Sequence, residues 1–160
     1  MNSTNTPTET LAATPPAETT RPHILVVDDD TNHLASVRRI LKRSGFEVTT
    51  ATGGTQALKK LKSKMPDLVL LDVSMPMMSG HVFIRWFRKF EAMHWGGQRP
   101  EDVAPTPVVF LSGHGRLQQR ISGLDAGAVD YLVKPCDPEE LRARVRSHLR
   151  NARRGGPAAA

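Results

Sequence analysis

Residues 68–76, LVLLDVSMP, decide the reading of this chain. Four apolar residues, Leu68, Val69, Leu70 and Leu71, run straight into Asp72, with Pro76 close behind. A continuous apolar run of this length is what a strand buried on both faces looks like. An unpaired carboxylate inside such a strand would be costly. The acid therefore belongs at the strand's carboxyl end, where the chain leaves the core. The same grammar recurs along the sequence. Residues 24–27 (ILVV) run into Asp28, Asp29 and Asp30; residues 108–111 (VVFL) run into Ser112; residues 129–133 run into Lys134-Pro135. Residues 46–51 supply a further strand, and the strand that ends at Asp72, third in chain order, is expected over 67–71.

Helical spacing fills the gaps. Leu34, Val37, Ile40 and Leu41 mark a first helix stopped at Gly45. Gly53-Gly54 leads to a second, with Ala57, Leu58 and Leu61 on one side. A third is expected over 81–90, with Val82, Phe83, Trp86 and Phe87 inward. Leu117, Ile121 and Leu124 mark a fourth, closed by Gly127. Asp137-Pro138-Glu139-Glu140 is a strong helix start: a capping acid, proline at the first position and acids in the first turn. Leu141, Val145 and Leu149 give that fifth helix its buried stripe. Five strands alternating with five helices argue for an α/β fold: an open, doubly wound parallel sheet with helices on both faces. In such sheets the functional crevice lies at the carboxyl ends of the strands.

Composition fits one ordinary globular domain between two tails. Of 160 residues, 39% are hydrophobic, enough for a single core. Residues 1–22, rich in Thr, Pro, Ala and Glu, and residues 151–160 lack bulky apolar side chains and are expected to be disordered. The net charge is +6, but the basic residues are dispersed along helix faces, so no nucleic-acid surface is expected. The single cysteine, Cys136, excludes an internal disulfide and fits a reducing, cytoplasmic setting. No leader is expected, because the N-terminus has neither a basic nor an apolar region. No apolar run approaches the ~18 residues a membrane span requires.

The strand ends bring a constellation to one edge: Asp28 and Asp29, Asp72, the hydroxyl of Ser112, and Lys134. Three carboxylates in one crevice repel each other and call for a cation. Oxygen ligands at this density suit Mg2+, which also binds phosphate oxygens. A carboxylate beside Mg2+, a lysine and a hydroxyl is a nucleophile suited to a phosphoryl group, with an aspartyl phosphate as its product.

The ordered motifs VVDDD, LLDVSMP, VVFLSG and YLVKP resemble the receiver domain of bacterial two-component response regulators. The resemblance spans about residues 23–150, the expected domain. It implies the flavodoxin-like (βα)5 fold with strand order 2-1-3-4-5. It implies that Asp72 is the phospho-acceptor, and that Asp29 binds Mg2+ directly while Asp28 acts through water. The backbone carbonyl of Ser74 would complete the metal site. Ser112 matches the switch hydroxyl, Lys134 the phosphoryl-binding lysine, and Tyr131 the aromatic that changes rotamer. Lys134-Pro135 is expected to be a cis bond. The implied donor is a histidine kinase or a histidine phosphotransfer protein. The implied output face is formed by the fourth helix, fifth strand and fifth helix, with Arg116, Gln118, Gln119, Arg120, Arg142, Arg146 and Arg150 available to an acidic partner or a homodimer.

The sequence departs from the common pattern in places. Ser79 stands where an acid often precedes the glycine, and Gly113 where alanine is common. Residues 91–107 form a longer connection than most receivers carry. His114 lies close to the crevice mouth, where the family tunes dephosphorylation; a plain loop histidine is the competing reading. Tyr131 also reads as packing, and Ser112 as a strand-end cap. An enzyme of the haloacid dehalogenase type would need an acid where Ser74 stands, which argues against turnover of external phosphate esters. A relay shuttle, or a transcriptional regulator whose output domain lies outside this chain, remains open; a stand-alone receiver is the expectation here.

Overall fold

In a computed structural model of the chain, residues 20–96, 103–113, 121–122 and 124–153 are described. The elements run β1 (His23–Val27), α1 (Thr31–Arg43), β2 (Glu47–Ala51), α2 (Gly54–Leu61), β3 (Leu68–Asp72), α3 (Gly80–His94), β4 (Val108–Ser112), β5 (Asp130–Val133) and α4 (Pro138–Arg153). All strand pairings are parallel, in the order β2-β1-β3-β4-β5. Of the helix expected between β4 and β5, helical turns are described at 121–122 and 124–125. Gly127 ends them at φ +96°, a left-handed conformation natural to glycine.

Strand alternation divides the core in two. Leu25, Val27, Val69, Leu71, Val108, Phe110 and Tyr131 point toward α2 and α3. Ile24, Val26, Leu68, Leu70, Val109, Leu111 and Leu132 point toward α1 and α4. The apolar runs are continuous because each strand serves both cores.

The helices start where local chemistry requires. Asp30 caps α1 by accepting the amides of Asn32 and His33, and Asp137 caps α4 by accepting those of Glu139 and Glu140. Ser79 caps α3, its Oγ accepting the Val82 amide at 3.4 Å. Lys134-Pro135 is cis, as expected.

Four expectations need correction. Trp86 does not face inward: it is 52% exposed, and α3 buries Gly80, Phe83, Ile84, Phe87 and Glu91 instead. The register is set by Gly80, where a Cβ would come within 2.6 Å of the Asp72 carbonyl and 2.8 Å of the Phe110 ring. That close approach rotates Ile84 into the core and Trp86 out. The third helix also continues past residue 90 to His94, so the long connection begins later. It can continue because Glu91 is buried in an ion pair with Arg88 at 2.9 Å and accepts the Thr106 amide at 2.7 Å. Ile121 and Leu124 are exposed, and Ala126 and Ala128 make the core contact of that segment. The last helix runs to Arg153, three residues beyond the expected domain end. Among the described residues no helix is long and apolar enough to cross a membrane.

Candidate functional site

The carboxyl edge of the sheet gathers the expected residues by register. β1 and β3 pair Val27 with Leu71, so Asp28 and Asp72 follow side by side. β4 and β5 pair Leu111 with Leu132, and Lys134 lies two residues on, in the row of Leu132. Asp28, Asp72 and Lys134 thus extend the rows that face α1 and α4.

Asp28 is fully buried and fully bonded. Its Oδ2 takes Lys134 Nζ at 2.5 Å and His33 Nδ1 at 2.6 Å, and its Oδ1 accepts the Asp30 amide at 2.9 Å. Burial works to raise its pKa, but hydrogen bonds from His33, Lys134 and Asp30 prevail and lower it to about 2. Asp72 is 5% exposed; Lys134 Nζ stands 3.4 Å from its Oδ1, and the Ser74 amide donates to that oxygen at 3.3 Å. Burial and the neighbouring Asp28 charge raise its pKa to about 6, against the opposing pull of Lys134. Burial depresses the Lys134 ammonium, but Asp28 and Asp72 outweigh it and raise its pKa.

Asp29 is exposed, and one oxygen from each of Asp28, Asp29 and Asp72 lies within 4.8 Å of the others. The donor set fits a hard cation. Three carboxylates converge, and Asp72 keeps a pKa raised by burial and then by the Asp28 charge, with Lys134 pulling the other way. Asp28 spends both oxygens on protein donors, which leaves Asp29 and Asp72 as the carboxylates open to direct ligation.

Ser112 is also at this edge and Tyr131 one row step short of it, both buried, but on the other face. Ser112 shares its row with Phe110, and Tyr131 is the Cα partner of Phe110 on β5. A Cβ added at Gly113 would meet nothing within 4 Å, so the chain leaves β4 through open space. His114, Arg116, Gln118, Gln119 and Arg120 lie outside the described residues. On α4, Arg146 and Arg150 are exposed, while Arg142 pairs with Glu139.

Sequence reasoning missed His33. Its pKa is raised to about 9, chiefly by its hydrogen bond to Asp28 and then by one to Cys136. The signal was its place as third residue after the Asp30 cap. Side chains in a helix lean toward its N-terminus, which here means toward the strand ends.

The family model described as response regulator receiver domain matches residues 24–146. The transcriptional regulatory protein PrrA of Mycobacterium tuberculosis is 43% identical over 139 residues, 87% of this chain and 54% of that protein. The alkaline phosphatase synthesis transcriptional regulatory protein PhoP of Bacillus subtilis is 34% identical, covering 84% of this chain and 51% of its own length. The chain thus spans about half the length of these curated relatives. Among solved structures, a CheY-like response regulator receiver domain protein from Methanospirillum hungatei superposes with TM-score 0.71 at 29% identity, covering 85% of this chain and 99% of its own. A putative response regulator from Chloroflexus aurantiacus gives 0.68 at 31% identity, covering 81% and 98%.

Proposed function

The chain belongs to the response regulator receiver family, and from that premise we propose that it accepts a phosphoryl group on Asp72 and uses it to switch a protein-binding face. The observation that carries this reading is the position of Lys134 Nζ, 2.5 Å from Asp28 and 3.4 Å from Asp72 at the edge of the sheet. One oxygen of the Asp72 carboxylate attacks phosphorus, and the bond from phosphorus to the donor imidazole breaks. The donor is a phosphohistidine of a histidine kinase or phosphotransfer protein, whose imidazole leaves with the electron pair. With a pKa of about 6, Asp72 is ionised at neutral pH yet more basic than an ordinary carboxylate.

Mg2+ held by Asp29, Asp72 and the Ser74 carbonyl, with Asp28 acting through water, would supply positive charge to the phosphoryl oxygens. Lys134 faces those oxygens from the other side, and Asp28 with His33 keeps the ammonium in place. Ser112 then donates to the phosphoryl group, and Tyr131 follows. This carries the change to the face made by residues 121–122 and 124–127, β5 and α4. The chain modifies only itself: Ser74 stands where a phosphatase of the dehalogenase type needs its acid.

The names of the mycobacterial and Bacillus relatives favour a second layer, in which this receiver governs transcription. An electrophoretic shift with DNA at physiological salt separates direct contact by this chain from contact through a further domain. The primary test is intact-protein mass after acetyl phosphate, with Mg2+ or with chelator. One phosphoryl group gained only with Mg2+, and absent in Asp72→Ala, supports the reading; a gain that survives Asp72→Ala overturns the acceptor. Lys134→Ala is expected to take up some phosphate while the switch fails.

A further inference from the structure

We propose that His81 is a positioning residue of the switch: in the phosphorylated protein its buried Nε2 takes the hydroxyl of Tyr131. This rests on the receiver reading above and assigns a residue to it.

His81 Nε2 is buried without a hydrogen-bond partner among the described residues. Buried polar atoms are nearly always paired, and an orphan costs stability that an apolar side chain in the same place would not. The nitrogen is idle in this state and has a use in another. The His81 ring lies on Phe110, centroids 5.1 Å apart and planes tilted by 35°. Across the β4-β5 ladder the Cα partner of Phe110 is Tyr131, and neighbouring strands are about 4.8 Å apart. Phe110 and Tyr131 belong to the same core, on the side of α2 and α3. Phe110 thus has His81 against its ring and Tyr131 as its neighbour in the sheet, on the same face.

The backbone that carries His81 is held in place. Gly80 seats the first turn of α3 on the Asp72 carbonyl and the Phe110 ring with no room to spare. Tyr131 is buried one step below the end of its row, whose last residue, Val133, is 48% exposed. A tyrosine hydroxyl both donates and accepts, so it suits Nε2 in either imidazole tautomer. A bond between them removes the orphan and holds the ring in the phosphorylated arrangement.

Tyr131 is the one tyrosine of the chain, so 3-fluorotyrosine labelling gives a single 19F resonance. The labelled full chain is treated with acetyl phosphate and Mg2+, and phosphorylation is read separately by intact mass. In wild type the resonance is expected to move on phosphorylation. In His81→Leu, equally phosphorylated, the shifted-to-unshifted ratio is expected to fall about fivefold, the equivalent of one net hydrogen bond. His81→Gln, which keeps a polar atom on the side chain, is expected to recover part of the shift. His81→Leu with the full wild-type shift overturns the proposal, as does a Gln variant no better than Leu. Wild type that gains no phosphoryl mass defeats the underlying reading, and the proposal falls with it.

Discussion

On the side of the sheet facing α1 and α4, the rows end in charge: Asp28, Asp72 and Lys134, tied to His33 of α1. On the side facing α2 and α3, one row ends in the hydroxyl of Ser112, and the phenol of Tyr131 lies one step short of the end of the next, over an apolar bed that includes Phe110. An odd number of positions separates the two sets, one between Ser112 and the partner of Asp72 and three between Tyr131 and Lys134, because side chains alternate along a strand. The difference teaches how one edge can do two things. The charged rows are pinned by short ion pairs and suited to chemistry. The other rows carry small dipoles on packed rings and are suited to moving.

The largest expected effect lies on the charged side. Asp72→Asn should abolish phosphoryl uptake, seen by intact mass, while raising the stability of the unphosphorylated protein. The sign follows from the pKa. Asp72 ionises at about 6 in the folded chain against 3.8 as the reference value, so the folded state loses stability as pH rises from about 4 to about 6. Asn removes that penalty, worth about 1–3 kcal/mol at pH 7 without metal. Urea titrations at several pH values check both the gain and the loss of pH dependence.

On the other side, Gly80→Ala should cost about 1–3 kcal/mol, because the new methyl meets backbone and a packed ring. The urea midpoint should drop, and α3 should show faster amide exchange. An unchanged midpoint would mean that α3 is not seated against the strand end as described.

The smallest effect belongs to His33. Its pKa is raised from 6.5 to about 9, so its contribution is fully present below about pH 6.5 and is lost as pH rises through about 9. His33→Leu should lower stability at pH 6 by about 1–2 kcal/mol and flatten the profile between pH 6.5 and 9. The His33–Asp28 bond contributes to the shifts of both groups and counts once.

How much of this was legible follows from where the information lies. β1, β3 and β4 announced themselves as unbroken apolar runs, and each of these, like the interrupted run of β5, led into a residue that reaches the edge. Asp28, Asp72, Ser112 and Lys134 could therefore be read from position alone. The outward turn of Trp86 could not, because helical spacing fits residues 82, 83, 86 and 87 as well as 80, 83, 84, 87 and 91. Contact between Gly80 and the Asp72 carbonyl chose between them. Glu91 looked like the start of a loop because its partners, Arg88 and the Thr106 amide, include one that is distant in sequence. His33 and His81 read as ordinary helix residues until the strand ends beneath them were in place.

The central claim is that chemistry on the charged rows reaches the other rows through Ser112. Hydrogen–deuterium exchange on wild type and Ser112→Ala, each phosphorylated with acetyl phosphate and checked by mass, tests it most directly. The account predicts that phosphorylation changes exchange at the carboxyl ends of β4 and β5 in wild type, and that Ser112→Ala gains the phosphoryl group without that change. A Ser112→Ala protein showing the full wild-type change would contradict it.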